Sequence, residues 1–162
     1  MVVSAGLGAV TALPIIPEDE LAGTLPARLN ATMVDQVGWR QYVWQIGAVY
    51  AGLSPSDRRR AVLLTGDYGE AGALDRYGPS LGLPEVYSGH NELHAFGPPP
   101  ESKRVVVAVL GGPPDRALGR CRAEGTLHNT PGVANEEVGV RVFVCRPAEP
   151  WTTIWPRLRH YS

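Results

Sequence analysis

Residues 61–90 limit the choice of fold more than any other part of this chain. Ala61–Thr65 (AVLLT) is a short unbroken apolar run, the pattern of a strand covered on both faces. Residues 66–69 (GDYG) follow as a glycine-rich loop, and 70–77 read as a short helix stopped by Gly78-Pro79. Val86-Tyr87 is the heart of a second strand. Strand, loop, helix and strand in that order imply a crossover and a parallel pair.

The remaining segments extend the same alternation. Residues 104–110 (RVVVAVL) form the strongest strand pattern, and 140–145 (VRVFVC) a further one. A short helix is expected at 115–121, a strand at 123–128 and a last helical turn or two at 150–158, with Trp151 and Trp155. Upstream, Asp35 is positioned to cap a helix over 35–53. Its Trp39, Tyr42, Val43, Ile46, Val49, Tyr50 and Leu53 recur at helical spacing and suit packing against a sheet. The expected fold is a three-layer Rossmann-like α/β sandwich of four to five mostly parallel strands with flanking helices.

Length and charge bound the function. A chain of 162 residues suits one domain, here placed at 34–162, and a formal net charge of −1 offers nucleic acid no attractive field. Arg58, Arg59 and Arg60 follow Ser-Pro-Ser-Asp and read as a solvated turn. Residues 1–17 carry no charge. As a helix the first sixteen reach only about 24 Å, short of the roughly 30 Å hydrocarbon core. They read either as the tail of a membrane span or as a buried first element. Residues 18–33, polar and interrupted by Gly23 and Pro26, read as a linker.

Three polar constellations bear on chemistry. In the first, Asp67, Tyr68 and Glu70 stand between a strand end and a helix start, where α/β sheets collect ligands. The glycine pattern is neither a dinucleotide fingerprint nor a P-loop, and two carboxylates repel phosphate. Asp67 as N-cap with Glu70 at N3 is an acidic capping box, the favoured reading; contact with a sugar hydroxyl or a cation is the other. In the second, Ser88, His90 and Asn91, with Glu92 and His94, should open on the same sheet edge and orient a polar ligand. No Ser-His-acid relay fits, because these residues are adjacent on one loop. In the third, His128-Asn129-Thr130 and Asn135-Glu136-Glu137 read as a solvated loop between two late strands. No catalytic residue, cofactor or metal site is assigned. Cys121 and Cys145 lack zinc-ligand spacing and are either free core thiols or one bridge.

Several stretches are specific enough to compare with a known family. LTGDYGEAGALDRYGPSLGLPEVYSGHN, then NEEVG, then PWTTIWPRLRHYS resemble the C-terminal region of bacterial glycosyltransferase family 39 proteins. These are polytopic membrane enzymes of the dolichyl-phosphate-mannose protein mannosyltransferase type, common in actinobacteria. The resemblance runs from about Ala12 to Ser162. It implies a soluble C-terminal module on the extracytoplasmic side of the cell membrane, partnered by membrane-embedded glycosyltransferase helices and by a glycan or polyprenyl-phosphate sugar. The family's catalytic acid lies in an early loop between membrane helices, which has no counterpart among these residues. The resemblance also implies a Cys121–Cys145 bridge, pinning the strand that ends at 145 to the helix that ends near 121. Relatives are richer in Trp after the GHN, where this chain has Glu92, Leu93, His94, Ala95 and Phe96.

Two rival functions follow from the residues alone. One is an independent soluble α/β enzyme binding a nucleotide or sugar phosphate. The other is a structural partner-binding module with Trp39, Trp44 and Tyr50 exposed on its aromatic helix.

Overall fold

A computed structural model describes residues 16–161. Among the described residues, seven α-helices and five strands follow in the order α1 (Glu18–Leu21), α2 (Leu25–Leu29), α3 (Ala31–Val34), α4 (Trp39–Ala51), α5 (Pro55–Arg59), β1 (Ala61–Thr65), α6 (Tyr68–Tyr77), β2 (Val86–Ser88), β3 (Val105–Leu110), β4 (Arg120–Thr126), β5 (Arg141–Arg146) and α7 (Trp151–Leu158). The strands form one mixed sheet in the order β2-β1-β3-β5-β4.

β1 lies parallel to both β2 and β3, as the crossover pattern requires. The other half of the sheet departs from the mostly parallel expectation. β5 runs antiparallel to β3 and to β4, because no helix of ordinary length separates these strands to carry the chain back across the sheet. Where a helix is expected at 115–121 there is only a single 3-10 turn, Arg116–Leu118.

The alternation of side chains divides the core between the two sheet faces. Val62, Leu64, Val106, Ala108, Phe143 and Cys145 pack with Trp151, Ile154 and Trp155 of α7. Leu63, Val107, Val109 and Val142 pack with Tyr42, Val43 and Ile46 of α4 and Ala73 and Leu74 of α6. Helices therefore cover both faces, and the aromatic face of α4 packs onto the sheet as its spacing predicts. α4 begins later than expected, however. Gly38, at φ 93°, stands at its N-cap in place of Asp35. A Cβ at Gly38 would approach Asn129 and the Tyr42 ring at 3.0 Å.

Residues 18–33, read as a linker, carry α1, α2 and α3. Thr24 caps α2 by accepting from the Ala27 N–H at 3.3 Å, with Pro26 in the first turn. Leu21, Val34 and Val37 form a small apolar cluster with Val133. Residues 1–15 of the apolar start lie outside the described residues. Among those described, no helix is long and apolar enough to cross a membrane.

Cys121 and Cys145 are bonded to each other. Cys121 sits on β4 rather than on a helix, directly opposite Cys145 in the β4–β5 ladder. The strand expected at 123–128 is thus displaced toward its N-terminus. Its polar sequence RCRAEGT is largely exposed at the sheet edge and has no apolar alternation to mark its limits. Reducing the bridge should lower the unfolding free energy by about 3 kcal/mol on the chain-entropy model. Urea midpoints with and without reductant measure this, and identical midpoints would remove the bridge from the account of stability. At the same end of β5, Asp57 of α5 accepts from Arg146 at 3.1 and 2.8 Å. That guanidinium holds the Asp57 carboxyl down at about 2.

Candidate functional site at the carboxyl edge of β1 and β2

The expected capping box forms at the start of α6. The Asp67 carboxylate accepts from the Gly69 N–H. Glu70 Oε2 accepts from the Gly66 and Asp67 N–H groups at 3.0 and 3.1 Å. Glu70 is only 5% exposed as a result. Its position turns this carboxylate toward the loop's own amides and away from solvent.

The second loop meets the first, as its place after the neighbouring strand implies. Ser88 is buried, donates to the Thr65 carbonyl at 3.1 Å and accepts from the His90 N–H at 3.2 Å. His90 is 1% exposed. Its Nδ1 accepts from the Tyr68 N–H at 3.0 Å, which places the ring proton on Nε2. Asp67 Oδ2 lies 3.3 Å from the same nitrogen. With Nδ1 already an acceptor, that approach is not a hydrogen-bonded ion pair. Asn91 adopts φ 49° and starts a 3-10 turn, Asn91–Phe96. Of the six expected ligand residues, Ser88 and His90 therefore hold the two loops together, Glu70 closes the first loop on itself, Asp67 and Asn91 are half-buried, and Tyr68 faces solvent at 62% exposure.

The segment after α7 completes this edge, which local sequence patterns did not reveal. The His160 N–H donates to the Gly89 carbonyl at 3.1 Å, and the Asn91 N–H donates to the His160 carbonyl at 2.9 Å. The His160 ring stacks on His90 with centroids 5.0 Å apart. Its Nε2 lies 2.7 Å from the Gly66 carbonyl and its Nδ1 2.8 Å from that of Leu158. Nearby, His94 and Trp155 stack at 4.9 Å. The Trp155 indole N–H donates to the His94 carbonyl at 3.1 Å, and His94 Nε2 meets the Trp155 carbonyl at 2.9 Å.

His128-Asn129-Thr130 and Asn135-Glu136-Glu137, read as a solvated loop, are partly buried. Asn129 donates to the Tyr42 hydroxyl at 2.8 Å, which donates to Asn135 at 2.9 Å. Asn135 in turn donates to the Val34 and Val37 carbonyls just before α4. Glu136 is exposed, whereas Glu137 is buried and its Oε2 has no hydrogen-bond partner. Burial, followed by the charges of Asp67, Glu136 and Asp35, pushes the Glu137 carboxyl up to about 7. Burial chiefly, with the charge of Glu137, pushes Glu70 up to about 8 against the pull of its two backbone donors. Among the described residues, no three His, Cys, Asp or Glu side chains converge as a metal site requires.

Outside this network lies an open groove of about 520 Å³. Tyr68, Gly72, Asp75, Tyr87, Phe96 and Gly97 contribute to its lining. Phe96 is 87% exposed, the most exposed large apolar side chain described. Gly72 occupies the middle of α6 with nothing within 4 Å of the position its Cβ would take. A helix-interior glycine costs about 1 kcal/mol relative to alanine, and no packing contact requires one here. Gly72→Ala should therefore raise the unfolding free energy by about 0.5–1 kcal/mol. A lower urea midpoint would show that the helix needs glycine at this position. The chain matches no protein-family model, no curated protein and no solved structure.

Proposed function

We propose that this chain is an extracytoplasmic accessory domain of a membrane glycosyltransferase, with a Rossmann-like core. Its carboxyl edge contacts the glycan or the lipid-linked sugar. The observation that carries this reading is the groove beside Phe96 and Tyr68. Most of its lining comes from the two stretches whose wording resembles family 39, GDYGEAGALDRYG and PEVYSGHN, and Leu93, Phe96 and Gly97 come from the turn that follows them. The Cys121–Cys145 bridge supports an oxidising compartment. The parallel order β2-β1-β3, with the loop at the end of β1, supports the Rossmann-like reading.

The nucleotide-binding alternative loses ground in the same loop. Gly66 and Asp67 already donate their N–H groups to Glu70, so a phosphate would have to displace the Glu70 side chain to reach them. A partner-binding role has one observation in its favour, the 65% exposure of Trp44. Trp39 and Tyr50 pack against the core on the other side of α4.

Amide chemical shifts test the reading. Glycans or short polyprenyl-phosphate analogues should shift Tyr68, Gly72, Asn91 and Gly97. If neither ligand moves these amides, the domain does not contact substrate and its role reduces to bracing the membrane helices.

A further inference from the structure

We propose that the groove beside α6 is a saccharide site that stacks the C–H face of a neutral pyranose against Phe96 and Tyr68. Asp75 accepts the sugar's hydroxyls at the rim. The inference rests on the reading of this edge as a ligand-contacting surface, and it names the class of ligand.

Three features support it. The first is how the aromatic wall is held. Phe96 projects into solvent, yet the turn that carries it is fixed from behind. His94, two residues earlier, is stacked and doubly hydrogen-bonded to Trp155, and the Gly97 N–H donates to the His94 carbonyl at 3.2 Å. Tyr68 is likewise held at its backbone, where its N–H donates to His90. A large exposed apolar ring on a fixed backbone contributes nothing to the core, but it gives a ligand a surface already in place.

The second feature is the floor. Gly72 and Gly97 both have open space where a side chain would stand, so a ligand reaches the backbone there. The α6 glycine that weakens the helix is the one that keeps the groove open.

The third is charge. Among the described residues, Asp75 is the only charged one lining the groove, and no basic side chain lines it. Phosphate and carboxylate ligands therefore find no partner. A pyranose has one apolar face and a rim of hydroxyl donors, which matches aromatic walls beside a single carboxylate. The volume falls in the range of small-molecule sites.

Saturation-transfer NMR on the 162-residue chain tests the assignment. The probes are methyl glucoside, methyl mannoside, methyl galactoside, choline and farnesyl phosphate. At least one pyranoside should receive saturation at its ring C–H protons at millimolar concentration. Phe96→Ala removes an exposed ring without touching the core and should weaken that binding by about tenfold or more. Gly72→Leu should block the groove, and Trp44→Ala, on the distant face of α4, should change nothing. Absence of saturation in every pyranoside overturns the proposal, as does equal saturation in Phe96→Ala. Binding of choline alone assigns the groove to a cation, and binding of farnesyl phosphate alone assigns it to lipid; either result also overturns it.

Failure of this proposal differs from failure of the accessory-domain reading. If pyranosides do not bind while polyprenyl-phosphate analogues shift the edge amides, only the saccharide assignment falls. If pyranosides bind while the gene encodes no membrane helices, the groove stands and the glycosyltransferase reading falls.

Discussion

Stability should fall as the pH rises from about 5 to about 9, and Glu70→Gln should remove most of that fall. The cause is a proton held by the fold. Glu70 titrates at 4.5 when unperturbed and at about 8 in the folded chain. Between those values the folded state keeps a proton that the unfolded chain has released. The stabilisation is fully present below the unfolded value and is lost as pH climbs through the folded one, by on the order of 4 kcal/mol. Glu137, at about 7, acts in the same direction, and its buried Oε2 has no donor to favour the charged form. Glutamine at position 70 keeps an oxygen for the Gly66 and Asp67 N–H groups and cannot ionise. The variant should therefore match the wild type near pH 5 and exceed it near pH 9. Asp57 sets the acid limb with the opposite sign. Its carboxyl lies at about 2 instead of 3.8, so its contribution is present above the unfolded value and disappears as pH falls through the folded one. Urea unfolding across the pH range measures both limbs. A wild-type profile that is flat or rising above about pH 5 would sink the account.

The distinction between Glu70 and Glu137 shows what the sequence makes legible and what it hides. Glu70 stands three residues after Asp67 at the start of a helix, and that spacing alone predicts the capping box. The apolar run of β1, the aromatic stripe of α4 and the parallel β1–β2 crossover are legible for the same reason, since each rests on a pattern local in sequence. Glu137 belongs to a segment whose composition suggests solvent. It is buried because Asn129 and Asn135 draw that segment onto Tyr42 and the turn before α4, contacts about ninety residues apart in sequence. β4 is hidden in another way. At a sheet edge it needs no apolar alternation, and the pairing of Cys121 with Cys145 marks its register better than hydropathy does. At the candidate site, the sequence places the two loops on one edge. It does not show that Ser88 and His90 turn inward or that His160 closes over them, because those bonds join separate parts of the chain. The sequence marks Phe96 only by contrast with the Trp that the family resemblance implies in this segment, and its exposure is a property of the turn that presents it.

Gly89→Ala should cost about 3 kcal/mol or more, although the added group is a single methyl. That methyl would overlap the Leu158 carbonyl oxygen and stand 2.7 Å from its carbon. Both are backbone atoms, so no side-chain rotation relieves the clash, and the segment after α7 must lift away. Lifting it breaks the His160 N–H bond to the Gly89 carbonyl and the Asn91 N–H bond to the His160 carbonyl. It also removes the His160 ring from His90 and from the Gly66 carbonyl. At about 1 kcal/mol for each hydrogen bond, those losses alone account for most of the expected cost. A chain truncated after Arg157 lacks the clashing residue and has already lost the same bonds. There Gly89→Ala should cost less than about 0.5 kcal/mol, so the two changes are strongly coupled. Urea unfolding of the four chains of this cycle measures the coupling directly. If alanine costs as much in the truncated chain as in the intact one, residues 158–161 do not close the edge of the site, and the conformation of the 88–91 loop itself must be what requires glycine.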